Sequence, residues 1–189
     1  FIEVSMNRFI VVISWLFGLL LIGLSLFVTL ETIMRKVFGA SLQGADELGG
    51  YVLAVSGALA FTIALSERAH IRIDLLYARF SSKVQAVLSW LASLSLALFG
   101  LFVARYIWLV IRDTLSYNST APTAWSTPLI YPQSVWYIAM LIFAAMSLSA
   151  FARATCLLFA GRFGALNEEF HPKSAQEELA EELSDLERR

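Results

Sequence analysis

Four apolar runs, separated by short polar interruptions, set the pattern of this chain. Residues 9–34 carry one charge, Glu31, and residues 84–111 carry one, Arg105. Residues 48–65 and 135–152 carry none. Runs of this length exceed what a soluble core helix needs, and predict four membrane-spanning helices. At 1.5 Å per residue the first run reaches roughly 39 Å against a hydrocarbon core of ~30 Å, so it is expected to tilt or protrude. The predicted fold is all-α and integral to the membrane, with long, tilted helices.

The second run is rich in small residues. Gly50, Ala54 and Ala58 recur every four positions, with Gly57 beside them, and so do Ser56, Ala60 and Ala64. In lipid, where apolarity alone does not drive association, such faces let helix backbones approach closely. Ser89, Ser93 and Ala97 suggest a similar face in the third helix. High Ala and Gly content is also common in membrane helices in general.

The interruptions differ in character. Residues 66–79 hold Glu67, Arg68, His70, Arg72, Asp74 and Arg79, the densest interior charge in the chain. Arg68 and Arg72, four apart, share a helical face suited to lipid phosphate, while His70 and Asp74 can hydrogen-bond. An interfacial helix fixed by snorkelling arginines is preferred here over a pH sensor at His70. Residues 115–133 carry no charge at all but contain Tyr117, Trp125, Pro128, Tyr131 and Pro132. An uncharged, aromatic, proline-rich stretch reads as a loop at headgroup level. After the fourth run, residues 164–189 form a tail. Ser174 and Glu177 can make a capping box, and Leu179, Leu183 and Leu186 then share one face of a short helix.

Composition supports the membrane assignment: 58% of the 189 residues are hydrophobic, only 15% are charged, and mean hydropathy is +0.69. The net charge of -1 conceals an asymmetry, because residues 168–189 hold eight acids against Lys173, Arg188 and Arg189. An acidic tail of this kind reads first as a solvated, fraying end; the sharper alternative is a short helix docking on a partner's basic surface, since anionic lipid would repel it. Nothing in the charge distribution suggests a nucleic-acid partner. With four spans, Arg8, Arg68, Arg72, Arg79, Lys83, Arg153 and Arg162 fall on one side, and Arg35, Lys36, Arg105 and Arg112 on the other. The positive-inside rule then places both termini and the 66–79 elbow in the cytoplasm. The first run is too long for a cleaved signal peptide.

Candidate chemistry is sparse. The chain has no Gly-rich phosphate loop and no Ser/His/Asp set of plausible geometry. Its single Cys156 excludes an internal disulfide, and its two histidines, His70 and His171, lie outside the apolar runs. No catalytic residue, metal ligand or cofactor is expected. Charges in or beside the spans are costly in lipid and tend to face a bundle interior or a partner. Glu31 and Arg35 are four apart, Asp46 and Glu47 open the second helix, and Arg105 sits in the third. These five are expected to form an ion-pair network joining helices one, two and three. A proton pathway is disfavoured because no acidic or histidine relay continues across the membrane.

At these residues the chain resembles a known family. The segment Gly44 to Tyr51 (GADELGGY), Gly57, then Glu67, His70, Ile71, Arg72, Ile73 and Asp74, then Thr127, Pro128, Pro132 and Gln133, is similar to the small membrane subunit of tripartite ATP-independent periplasmic (TRAP) transporters. The resemblance runs from about residue 35 to residue 161 and includes the four-span layout. Many members carry a Trp just before the acidic pair, where this chain has Gly44 and Ala45.

The resemblance implies a bacterial inner-membrane complex. A large membrane subunit binds substrate and sodium and moves as an elevator. A periplasmic binding protein delivers a carboxylate such as a dicarboxylate or a sialic acid. The small subunit widens and stiffens the fixed scaffold. On that reading this chain holds no substrate or sodium, although bound lipid suits its surface. The loop containing Trp125, Pro128, Tyr131 and Pro132 is the expected contact for the binding protein. Two other classes fit a four-helix chain: a stand-alone channel, which would need a row of charges along one span, and a redox anchor, which would need intramembrane ligands.

Overall fold

In the computed structural model, residues 2–67, 80–170 and Leu183 are described. The elbow residues Arg68, His70, Arg72 and Asp74 lie outside them. So does the predicted tail helix, apart from Leu183. Five helices follow in order: α1 (Ile2–Val37), α2 (Ala45–Ser66), α3 (Ser82–Tyr117), α4 (Ile130–Phe159) and α5 (Phe163–Phe170). The first four are long and apolar enough to cross a membrane, over Arg8–Val37, Ala45–Ser66, Ser82–Tyr117 and Ile130–Phe159. Among the described residues there is no β-strand, only an isolated bridge between Thr120 and Pro128. The fold is therefore all-α and of membrane-spanning type.

Each helix outruns its apolar stretch, because the polar flanks continue the backbone hydrogen-bond ladder. The difference is largest at α4, which begins at Ile130, inside the stretch read as loop. Pro132 is tolerated there because a first-turn residue has no intrahelical N–H bond to lose. Two helix ends are closed by Schellman turns. At α3, Asn118 adopts φ 48 and Ser119 N donates to Thr114 O at 3.1 Å. At α4, Gly161 adopts φ 69, Gly161 N donates to Leu158 O and Arg162 N to Leu157 O, both at 3.1 Å.

Hydroxyls within the spans bond back to their own helices. Thr29 donates to Ser25 O (2.7 Å), Thr32 to Val28 O (2.8 Å), Ser95 to Leu91 O (2.9 Å) and Ser134 to Ile130 O (2.6 Å). No polar hydrogen is then presented to lipid at those positions.

The pattern of burial is that of a membrane protein. In α3 the buried positions are Ala86, Ser89, Ser93, Ala97, Gly100, Ala104, Ile107, Ile111 and Thr114, each three or four residues from the next. The packed face is thus made mainly of small residues, and the large apolar side chains Leu98, Leu101, Phe102 and Trp108 point outward. Close backbone approach selects this face, whereas apolarity suits any face in lipid. In α2 the packed positions are Ser56, Ala58, Leu59 and Thr62, while Gly50, Ala54 and Gly57 are exposed. α1 contributes least to the packing, with 6% of its most apolar window buried against 22–28% for the other three.

The chain divides into two compact units, one of Phe1–Ile63 with Leu98–Met146, the other of Ala64–Ala97 with Ser147–Arg189. In the first, Phe61, Phe99 and Phe143 cluster with ring centroids 5.6 to 6.4 Å apart, and Trp108 stacks on Tyr137 at 5.9 Å. In the second, Trp90 Nε1 donates to Thr155 Oγ1 at 2.9 Å and its ring meets Phe151 at 5.8 Å.

The second unit also corrects the reading of residues 164–170 as part of a detached tail. They form α5, whose Leu166 is fully buried. Phe163, Leu166 and Phe170 share one face, the spacing of a packed helix. Asn167 Nδ2 donates to Ser82 O (3.1 Å), Ser82 Oγ (3.0 Å) and Gln85 Oε1 (3.4 Å), and Arg153 pairs with Glu169.

Candidate functional site

The polar chemistry of the first unit gathers where two connections meet, residues 38–44 between α1 and α2 and residues 118–129 between α3 and α4. Two buried carboxylates organise it. Glu31, 4% exposed, sits in the last turns of α1. Its Oε1 accepts from Ser41 Oγ at 2.6 Å and its Oε2 from Leu42 N at 2.7 Å. Ser41 Oγ in turn accepts from Gln43 N at 3.1 Å. The connection is thereby folded back onto the helix it has just left.

Glu47, 7% exposed, does the same for the other connection. Gly44 O accepts the first helical bond of α2, from Leu48 N at 2.9 Å, so Gly44 is the N-cap and Glu47 the third helical residue. The positive end of the helix dipole favours an acid there. Tyr51 OH, one turn on, donates to Glu47 Oε1 at 3.0 Å. Thr123 Oγ1 donates to Glu47 Oε2, and Thr127 stands beside the same carboxylate. Burying a carboxylate is tolerable only when its lone pairs are met in this way.

The 118–129 connection is a miniature hairpin. Ala121 N donates to Thr127 O (2.9 Å) and Leu129 N to Ser119 O (3.1 Å), around a Thr123–Ser126 turn closed at 3.1 Å. Trp125, at its tip, lies against Gly44, where a Cβ would overlap its six-membered ring. The indole also meets Phe27 of α1 edge-on, with centroids 6.4 Å apart. Trp125 thus touches α1 and the 38–44 connection together, while 46% of it stays exposed.

The expected ion-pair network of five residues is not how this chain satisfies its two buried acids. Among the described residues no ion pair joins Glu31, Arg35, Asp46, Glu47 and Arg105, and both buried carboxylates are held by hydroxyl and backbone donors. Arg35, Asp46 and Arg105 are all exposed. Neutral donors on a connection can fold down onto a carboxylate, whereas a long arginine at the membrane edge gains more by reaching headgroups or water. Of the loop residues, Tyr131 is 68% exposed, Pro128 bridges Thr120, and Pro132 is half-buried in the first turn of α4. Glu67 follows the end of α2 and is exposed.

The residues that sequence reasoning missed are Ser41, Leu42, Thr123 and Thr127. Thr123 is 76 positions from Glu47, and no spacing rule connects them. The Glu47–Tyr51 bond, at a separation of four, follows helical periodicity and was open to prediction. The glycine at the N-cap was a further signal, since it alone leaves room for the indole.

Nothing in this arrangement resembles a reaction centre. The described residues include no group of His, Cys, Asp and Glu able to hold a metal ion, and each oxygen of the two buried carboxylates accepts a hydrogen bond within the chain. No curated protein and no solved structure matches the chain significantly. The family model for the DctQ component of tripartite ATP-independent periplasmic transporters does match, over residues 24–157, a stretch that begins in α1 and ends in α4 and contains both carboxylates and both connections. The chain belongs to that family: it is a small (Q) subunit of a TRAP transporter, a transporter component and not an enzyme.

Proposed function

We propose that this chain is the fixed scaffold of its transporter, bracing a large elevator-type subunit during sodium-coupled uptake of a carboxylate delivered by a periplasmic binding protein. The carrying observation is the family match over helices whose two buried carboxylates, Glu31 and Glu47, are bonded within the chain. A brace must resist sliding while its partner moves. Helices with charged or aromatic ends resist displacement, because moving them drags those groups into lipid. The least-packed helix, α1, and the exposed Gly50–Ala54–Gly57 face of α2 supply surface for the large subunit.

The proposed topology has both termini in the cytoplasm of a bacterial inner membrane, so that the 38–44 and 118–129 connections face the periplasm. There Trp125, Pro128, Tyr131 and Pro132 meet the binding protein. An open groove of ≈ 460 Å³, lined by Leu16 and Leu20 of α1, Val52 and Val55 of α2, and Val135 and Ile142 of α4, suits a lipid acyl chain.

The test is reconstitution. Vesicles containing this chain and the large subunit, supplied with binding protein, should accumulate substrate on a sodium gradient. The large subunit alone should not, and neither should this chain alone. Solute flux through the isolated chain would favour a channel and end the scaffold reading. Uptake unaffected by omitting this chain would end it too.

A further inference from the structure

We infer that Glu47 is a positioning residue for the encounter with the binding protein: from its fixed place in α2 it holds the 118–129 connection in the shape that presents Trp125. This rests on the reading above that the connection meets that protein. The distribution of donors carries it. Tyr51 belongs to α2 itself, whereas Thr123, the other donor, comes from the connection, as does Thr127 beside it. No cation of another helix shares the carboxylate among the described residues, so Glu47 does not tie helix to helix. Removing it therefore releases the connection and leaves the helix ladder of α2 in place.

The two parts hold each other. A buried carboxylate is stable only while its donors are present, and the donors' positions are defined only while the carboxylate is there. Trp125 is carried on the turn closed between Thr123 and Ser126, so its seat on Gly44 depends on the same contact. A pre-ordered surface avoids the cost of ordering at each encounter. Glu47 is itself buried and acts through the connection, so its loss should weaken the encounter and spare the turnover of the assembled complex.

The experiment measures uptake by the reconstituted complex as the concentration of binding protein is varied, together with amide exchange over residues 119–129. Glu47→Ala should speed exchange at the Ala121 and Leu129 amides. It should also raise the half-saturating concentration of binding protein about tenfold or more, with the maximal rate within about twofold. Glu47→Gln keeps one acceptor oxygen and should recover most of the loss. If Glu47→Ala does not assemble, Thr123→Val combined with Thr127→Val removes the hydroxyls that face the carboxylate from the connection and should give the same split. A fall in maximal rate with half-saturation unchanged would overturn the inference and assign Glu47 to the scaffold. Trp125→Ala separates the two layers. If it raises half-saturation and Glu47→Ala does not, the positioning role is wrong. If neither does, the connection is not the docking site.

Discussion

Trp125 lies over Gly44 so closely that only hydrogen fits beneath its ring. One residue is the N-cap of α2 and the other the tip of the hairpin between α3 and α4. The contact joins two connections 81 positions apart in the chain.

Gly44→Ala should therefore act through Trp125. The glycine's backbone needs no left-handed conformation, so the added methyl acts by meeting the indole, its nearest neighbour. Overpacking of this kind typically costs about 1–3 kcal/mol. The expected result is a lower thermal midpoint for the purified complex. Trp125→Leu in the same chain should restore part of the difference, because a smaller side chain leaves room for the methyl. Equal midpoints for Gly44→Ala and wild type would mean that the indole does not occupy this seat.

Glu31 and Arg35 provide the next test. The carboxylate is held by Ser41 Oγ and Leu42 N rather than by the arginine one turn away. Glu31→Arg should leave both donors without their acceptor, at a cost of about 0.5–1.5 kcal/mol for each hydrogen bond. Adding Arg35→Glu should not rescue it, since both donors converge on position 31. Recovery of assembly by the reciprocal swap would establish an ion pair instead.

In the second unit, the Trp90–Thr155 bond joins α3 to α4. Interhelical hydrogen bonds in membranes couple modestly, on the order of 0.6 kcal/mol. A double-mutant cycle of Trp90→Phe and Thr155→Val should return about that coupling energy in reversible unfolding. A coupling of zero would show that the two side chains act independently.

Leu166 is fully buried although it follows the last span. Leu166→Ala should cost about 2–5 kcal/mol if α5 is part of the packed unit. Limited proteolysis should then cut around residues 163–170 faster than in wild type. Unchanged proteolysis would return this segment to the status of a loose tail.

Much of this molecule was legible in its sequence, for reasons that are local. A run of apolar residues long enough to cross a bilayer must be helical there, because every backbone polar group needs a partner within the segment. That logic located α1 to α4, and it erred only at the ends. Leu166 was misjudged because the signal of α5 is one turn of apolar spacing inside an acidic stretch. The family, too, could be recognised from short motifs around Gly44 to Tyr51 and Thr127 to Gln133, and the family model agrees over 24–157.

The acids separate what the chain's order determines from what folding decides. Sequence alone established that Glu31 and Glu47 sit at the edge of apolar helices, where a bare carboxylate is untenable and some partner is obligatory. It could not say which partner. Opposite charge pointed to Arg35, at helical spacing, and to Arg105 in the third helix, but the donors came from Ser41, Leu42 and Thr123. Those groups are neutral and some are distant in sequence, and their ability to donate depends on a backbone path. Only the tertiary structure lays that path down, because two connections must fold onto their helices before a hydroxyl or an amide can stand where a cation was expected.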